Sequence, residues 1–178
     1  LGNAEIINYS TEDDDIKEMA SAIYTSGKRL INTLNLILDL SRIEANKENL
    51  DIEKLEVVPI VNDIVNHYSP AARQKDLDFN FVCSNNNIYS LLDERIFREV
   101  LNNLINNAIK FTNQGSIAVT LIEDNDKMVI KVIDSGIGIA HESLGLIFDE
   151  FRQVSEGFGR SFEGTGLGLT ITKKFVEK

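Results

Sequence analysis

The 178-residue sequence predicts an α+β fold: a long bundle-forming helix followed by a two-layer α/β sandwich with helices on one face of a mixed sheet. Three observations predict it. Ile16, Ile23, Leu30 and Ile37 recur every seven residues, a spacing that keeps one stripe of a helix against a neighbour over many turns. From residue 57 on, segments of helical spacing are interleaved with short runs in which apolar and polar residues alternate, as half-buried strands do. Two glycine-rich runs, at 134–139 and 163–169, then punctuate the C-terminal part.

Composition bounds the function. Hydrophobic content of 43% with 26% charged residues is that of a globular protein with one full core and a smaller element. A formal net charge of −10 works against sequence-independent nucleic-acid binding, which needs clustered Lys and Arg to neutralise phosphates. The single cysteine, Cys83, excludes an internal disulfide framework and reads as a packed core thiol, as in a reducing, cytoplasmic compartment. No apolar run is long enough to span a membrane as a helix, and there is no signal-peptide pattern. The sequence begins at Leu1 without a methionine and stops inside a helical pattern, so a fragment of a longer chain is expected.

In chain order, Leu1 to Tyr9 is a short apolar-rich piece, and STEDDD after it supplies cap residues and acidic side chains suited to a helix N-terminus. A long helix from Ile16 to about Asn49 carries the seven-residue repeat. Ile31 and Leu38 widen its stripe beyond a two-stranded seam, which suits a bundle with several neighbours. It reads as half of a helical hairpin that pairs with another copy; a helix lying across its own domain is the alternative. A boundary near residue 50 separates this part, 1–50, from 51–178.

Leu55 to Val58 is an apolar run, and Pro59 suits the first turn of a helix whose buried face is Ile60, Val61, Ile64, Val65 and Tyr68, with Ser69-Pro70 as an interruption. Residues 77–83 alternate Leu77, Phe79 and Phe81 with Asp78 and Asn80, a strand with one buried side. Asn85 to Asn87 is turn chemistry, and Ile88 to Leu92 is a second strand ending at Asp93, a good helix cap. Ser116 to Glu123 and Met128 to Asp134 form a hairpin around Asp124-Asn125-Asp126.

The helix between these strands, Asp93 to Thr112, carries two stripes. Ile96, Val100, Leu101, Leu104, Ile105 and Ala108 give a core face, while Glu99, Asn103, Asn107 and Lys110 stack along a polar one. Carboxamides ending in a lysine offer oxygens to a hard cation and a positive charge to a phosphate. Asp134, at a strand end before Gly136 and Gly138, can accept a hydrogen bond from an exocyclic amine while the glycines admit a flat ligand close to the backbone. Gly164, Gly166 and Gly168 precede an apolar helix, and freed backbone amides at a helix N-terminus make a phosphate cradle. No strand leads straight into that run, so it is not a dinucleotide-binding fingerprint. Arg152 to Glu163 reads as a mobile lid.

NNLINNAIKFT, DSGIGI, IFDEF and GTGLGL, in this order, resemble the N, first glycine, F and second glycine boxes of the sensor histidine kinases of two-component signalling. LGNAE resembles the end of the family's first dimerisation helix and SGKRLINTLNLILDLSRIEANK its second, so the resemblance covers nearly the whole chain. It implies a dimerisation hairpin followed by an ATP-binding α/β sandwich of the type shared with gyrase and the heat-shock chaperone ATPases. It further implies ATP and Mg2+ as cofactors, a homodimer through the N-terminal helices, and a response-regulator receiver domain as partner.

Residue by residue, the resemblance makes Asn107 the magnesium ligand and places Asn103 in the triphosphate environment. Lys110 reaches a phosphate, Phe111 lies against the adenine, and Asp134 holds the adenine amine. Gly136 and Gly138 shape the adenine pocket; the run Gly164, Thr165, Gly166, Leu167 and Gly168 closes on the phosphates, with Arg160 a further phosphate contact. Phe148 and Phe151 anchor the lid, or are simply core aromatics. The family's phosphoacceptor histidine would fall upstream of Leu1, and the histidines present, His67 and His141, read as surface or structural. Two other functions stay in view: an ATP hydrolase of the same superfamily, disfavoured because its glutamate base would fall at Asn103, and a nucleotide-binding scaffold without transfer activity.

Overall fold

The computed structural model describes residues 1–45, 50–125, 127–152 and 165–178, and the chain divides into two compact units, Leu1–Lys47 and Glu48–Lys178.

In the first unit, α1 (Gly2–Ser10) packs on α2 (Asp14–Glu44). Asp13 caps α2, its carboxylate accepting from the amides of Asp15 at 3.0 Å and Ile16 at 3.2 Å, with Asp14 and Asp15 beside the positive end of the helix dipole. The two helices meet through small residues: Ala4 and Ala20 are buried, and the Leu1 side chain lies against Gly27. The described helix runs to Glu44 with Ala45 as its C-cap, and the expected continuation to Asn49 lies outside the described residues. Most of the predicted stripe is uncovered. Ile23 and Leu30 are each 62% exposed, Leu38 54% and Leu34 50%.

The second unit contains β1 (Glu53–Glu56), α3 (Val57–Gln74), β2 (Asp78–Cys83), β3 (Tyr89–Leu92), α4 (Glu94–Phe111), β4 (Ser116–Asp124), β5 (Lys127–Asp134) and α5 (Gly168–Val176), with a 3₁₀ turn at His141–Ser143. Two points differ from expectation. Residues 53–56 form a strand, paired antiparallel with β3 so that Leu55 faces Ser90. Helix α3 also runs straight through Pro70. The carbonyl that Pro70 leaves without a donor belongs to exposed Asn66, where water can satisfy it, and the Ser69 hydroxyl bonds back to the Val65 carbonyl at 2.8 Å.

The described strands form two sheets, β1-β3 and a mixed β2-β4-β5 in which β2 runs parallel and β5 antiparallel to β4. Along β4, Ile117, Val119 and Leu121 have no exposure, whereas Ala118, Thr120 and Ile122 between them are partly open. One face of the sheet is therefore covered. Val57, Val61 and Ile64 of α3 and Leu101 and Ile105 of α4 share its core, each contributing roughly 1.5–3 kcal/mol of hydrophobic stabilisation. Asp93 fixes where α4 starts, its carboxylate accepting from the Ile96 and Asp51 amides, each at 3.0 Å.

Candidate nucleotide site

Helix α4 is the spine of the candidate site. Asn103, Asn107 and Phe111 lie four residues apart and so share one face on successive turns. At the C-terminal end, the Phe111 carbonyl accepts the Ile137 amide at 3.2 Å, which docks the first glycine run on the helix. Gly136 is there because nothing larger fits: a β-carbon would stand 2.5 Å from the Phe111 carbonyl oxygen and 2.8 Å from Asp134 Oδ1. The Asp134 carboxylate accepts the Gly136 amide at 2.9 Å and is otherwise exposed.

Two turns earlier, the second glycine run meets the same helix. The Asn103 carboxamide donates to the Thr172 hydroxyl at 2.7 Å, and Gly168 is pressed so close to it that a β-carbon would collide. Asn107 thus sits one turn from each glycine run, half-buried, with no hydrogen-bond partner for its carboxamide among the described residues. The Lys110 ammonium lies over the Phe111 ring, 4.7 Å from its centroid. Among the described residues no side chain caps the N-terminus of α5, and its first turn holds no acidic residue to offset the positive end of the helix dipole.

The remaining predicted residues fall as follows. Thr165 Oγ1 accepts the Leu167 amide at 3.3 Å, and Gly166, at φ +72°, takes a left-handed turn against the backbone of Phe151 and Arg152. Leu167 has no exposure, and its amide is already bonded to Thr165 Oγ1. Gly138, at φ +68°, is exposed. Arg160 and Gly164, with most of the expected lid, lie outside the described residues. Phe148 and Phe151 are 38% and 64% exposed, which corrects the alternative that they are core aromatics. Phe148 instead lies on α5, its carbonyl accepting the Thr170 hydroxyl at 2.9 Å.

A hollow of about 390 Å³ lined by Phe148, Glu150, Lys173, Lys174 and neighbours contains none of the residues expected to touch the nucleotide. Its charges are spent on one another, Lys174 on Glu150 at 3.0 Å and Lys173 on Glu177 at 3.8 Å. Among the described residues there is no group of three or more His, Cys, Asp or Glu able to hold a metal by themselves. Burial acts to raise the Asp93 carboxyl, but the Ile96 and Asp51 amides and the charge of Arg95 outweigh it and hold the group below the ordinary carboxylate range. Thr172 and Ser135 were not legible as site residues. Ser135 Oγ accepts the Ser116 amide at 2.9 Å and fastens the first glycine run to β4.

Residues 92–178 match the family model of the histidine kinase-, DNA gyrase B-, and HSP90-like ATPases. Over 183 aligned positions the chain is 37% identical to the autoinducer 2 sensor kinase/phosphatase LuxQ of Vibrio cholerae, a match spanning 99% of this chain and 21% of LuxQ. Among solved structures, full-length ShkA in complex with AMPPNP matches with a TM-score of 0.82 at 25% identity, over 99% of this chain and 37% of that one. The histidine kinase ThkA, in complex with the response regulator TrrA, matches with a TM-score of 0.70 at 25% identity, over 99% of this chain and 48% of that one. The chain spans about a fifth of the length of LuxQ. With both glycine runs seated on one asparagine-bearing helix, residues 92–178 belong to the histidine kinase-, DNA gyrase B- and HSP90-like ATPase family, and the chain as a whole is similar to sensor histidine kinases.

Proposed function

We propose that the Glu48–Lys178 unit binds ATP with magnesium and transfers the γ-phosphoryl group to a histidine imidazole, from which it passes to an aspartate on a receiver domain. The observation that carries this is the position of Asn107, one turn from each of two glycine runs docked on the same helix. In this reading Asp134 accepts from the adenine amine, Phe111 lies beside the base, and Gly136 and Gly138 let the base approach the backbone. The uncapped start of α5, with Thr165, Gly166, Leu167 and Gly168, receives the phosphates through backbone amides. Gly164 and Arg160 complete that end, and Lys110 swings from the Phe111 ring to a phosphate oxygen.

A lone carboxamide suits magnesium, which keeps several waters and takes other ligands from the phosphates instead of needing a cage of carboxylates. Asn107 would hold it; bound there, the ion neutralises charge on the transferring group. The chain's own part is to align and shield: phosphoryl transfer needs the imidazole nitrogen in line with the breaking P–O bond, with ADP leaving as the N–P bond forms. Asn103 holds α5 against α4 and thereby sets the distance between the metal-binding turn and the phosphate-binding amides.

The ThkA complex with TrrA supports a response regulator as the phosphoryl acceptor's partner. The open stripe of α2 supports pairing with a second copy. The hydrolase reading is weaker, since the Asn103 carboxamide cannot take a proton from water at neutral pH and is already bonded to Thr172. The test uses labelled ATP and a chain extended upstream to include the acceptor histidine. Acid-labile phosphate on the protein, lost in Asn107→Ala, is the expected result; free phosphate released with no label retained would overturn the kinase reading.

A further inference from the structure

The last carbonyls of an α-helix have no partner within it, and the end of α4 meets this need with a residue from another helix. The Lys75 ammonium donates to the carbonyls of Ile109 at 2.6 Å, Lys110 at 3.3 Å and Thr112 at 3.4 Å. The Phe111 carbonyl, in the middle of that set, is left for the Ile137 amide. An ammonium has three donors, so these carbonyls use all of them, and its charge sits at the negative end of the α4 dipole. Lys75 is aimed by the turn that ends α3: its own amide and that of Leu77 both bond the Ala72 carbonyl, at 3.1 and 3.0 Å, and Asp76 takes a left-handed φ of +54°.

We propose that Lys75 is a positioning residue for the nucleotide base, fixing the last turn of α4 so that Phe111, Asp134 and Gly136 hold the adenine end of the site. This rests on the assignment of that junction as the adenine pocket. Lys75 itself touches no ligand. Charge-assisted hydrogen bonds are roughly twice as strong as neutral ones, so a neutral side chain at this position frees three carbonyls at once, and the Phe111–Ile137 bond is the next to loosen. A cap that served stability alone would lower the melting temperature and leave the pocket's own hydrogen bond as protected as before.

The test compares the 178-residue protein with Lys75→Met and Lys75→Arg, titrating each with ADP in magnesium and following amide hydrogen exchange at Ile137 against amides of the β4–β5 ladder. Lys75→Met is expected to lose about three- to tenfold in ADP affinity, in keeping with the loss of part of a charge-assisted hydrogen bond, and to exchange faster at Ile137 with the ladder unchanged. Lys75→Arg, which keeps charge and donors, is expected to restore both. Should Lys75→Met not fold, Lys75→Gln is read in its place. Equal ADP affinity in the Met and wild-type proteins, unchanged relative exchange at Ile137, or a folded Arg variant that restores neither readout overturns the role of Lys75. A wild-type protein that binds no ADP instead sinks the pocket assignment beneath it.

Discussion

The Asn103 carboxamide donates to the Thr172 hydroxyl across 2.7 Å, joining α4, which carries the metal-binding candidate, to α5, whose N-terminus is the proposed phosphate site. Thr172 is 8% exposed, so water cannot readily replace the bond. Removing one partner of a buried pair costs the desolvation of the other.

Asn103→Ala should therefore lower stability by about 1–2 kcal/mol in urea denaturation, the range for a buried polar group left unpaired. Asn103→Asp separates docking from ligand binding. Its carboxylate can still accept the Thr172 hydroxyl proton, so stability should fall less than in the alanine variant. A negative charge beside the phosphates should nonetheless weaken ADP binding about tenfold or more, by like-charge repulsion. Unchanged ADP affinity in the Asp variant would remove Asn103 from the triphosphate environment.

Asp93 predicts how the fold responds to acid. Its carboxyl is held below its ordinary value of 3.8 in the folded chain, so the unfolded chain binds the proton more readily. The contribution is fully present above the unfolded value and is lost as pH falls through the lower, folded one. Asp93→Asn keeps one oxygen to cap α4 but turns an NH₂ group toward the Asp51 amide or the Ile96 amide. Near pH 7 this variant should be less stable than the parent, and the gap should close as pH drops below 3.8. Urea midpoints measured across that range test it; a gap that widens in acid would contradict the capping account.

Much of this was legible because helices announce themselves through local spacing. The stripes of α2 and α4 and the caps Asp13 and Asp93 are written within a few residues of where they act. Strand β1 is not. Glu53, Lys54 and Glu56 are charged, Leu55 alone is apolar, and the strand exists because β3 lies alongside it. The same holds at the site. Asp134 and Gly136 stand out as a carboxylate and a glycine at a strand end, and the structure seats Gly136 against the Phe111 carbonyl with its amide bonded to Asp134. Lys75 and Thr172 gave no signal, since a single lysine or threonine becomes significant only when packing brings a distant backbone or carboxamide to it. Pro70 misled for the converse reason: its cost depends on whether the orphaned carbonyl can reach water, which spacing does not record.

The stripe of α2 yields the prediction for assembly. Ile23, Leu30 and Ile37 repeat at seven-residue spacing and remain 62%, 62% and 38% exposed in the single chain. A second copy laid along α2 would bury them, each substantially buried side chain contributing roughly 1.5–3 kcal/mol. Leu30→Lys sets two like charges facing each other across such a seam, where neither can keep its full hydration. In sedimentation equilibrium the parent chain should be dimeric at micromolar concentration and Leu30→Lys monomeric, with unchanged ADP binding by the Glu48–Lys178 unit. A parent that stays monomeric throughout, or a Leu30→Lys protein that dimerises as well as the parent, would place the contact between copies somewhere other than this stripe.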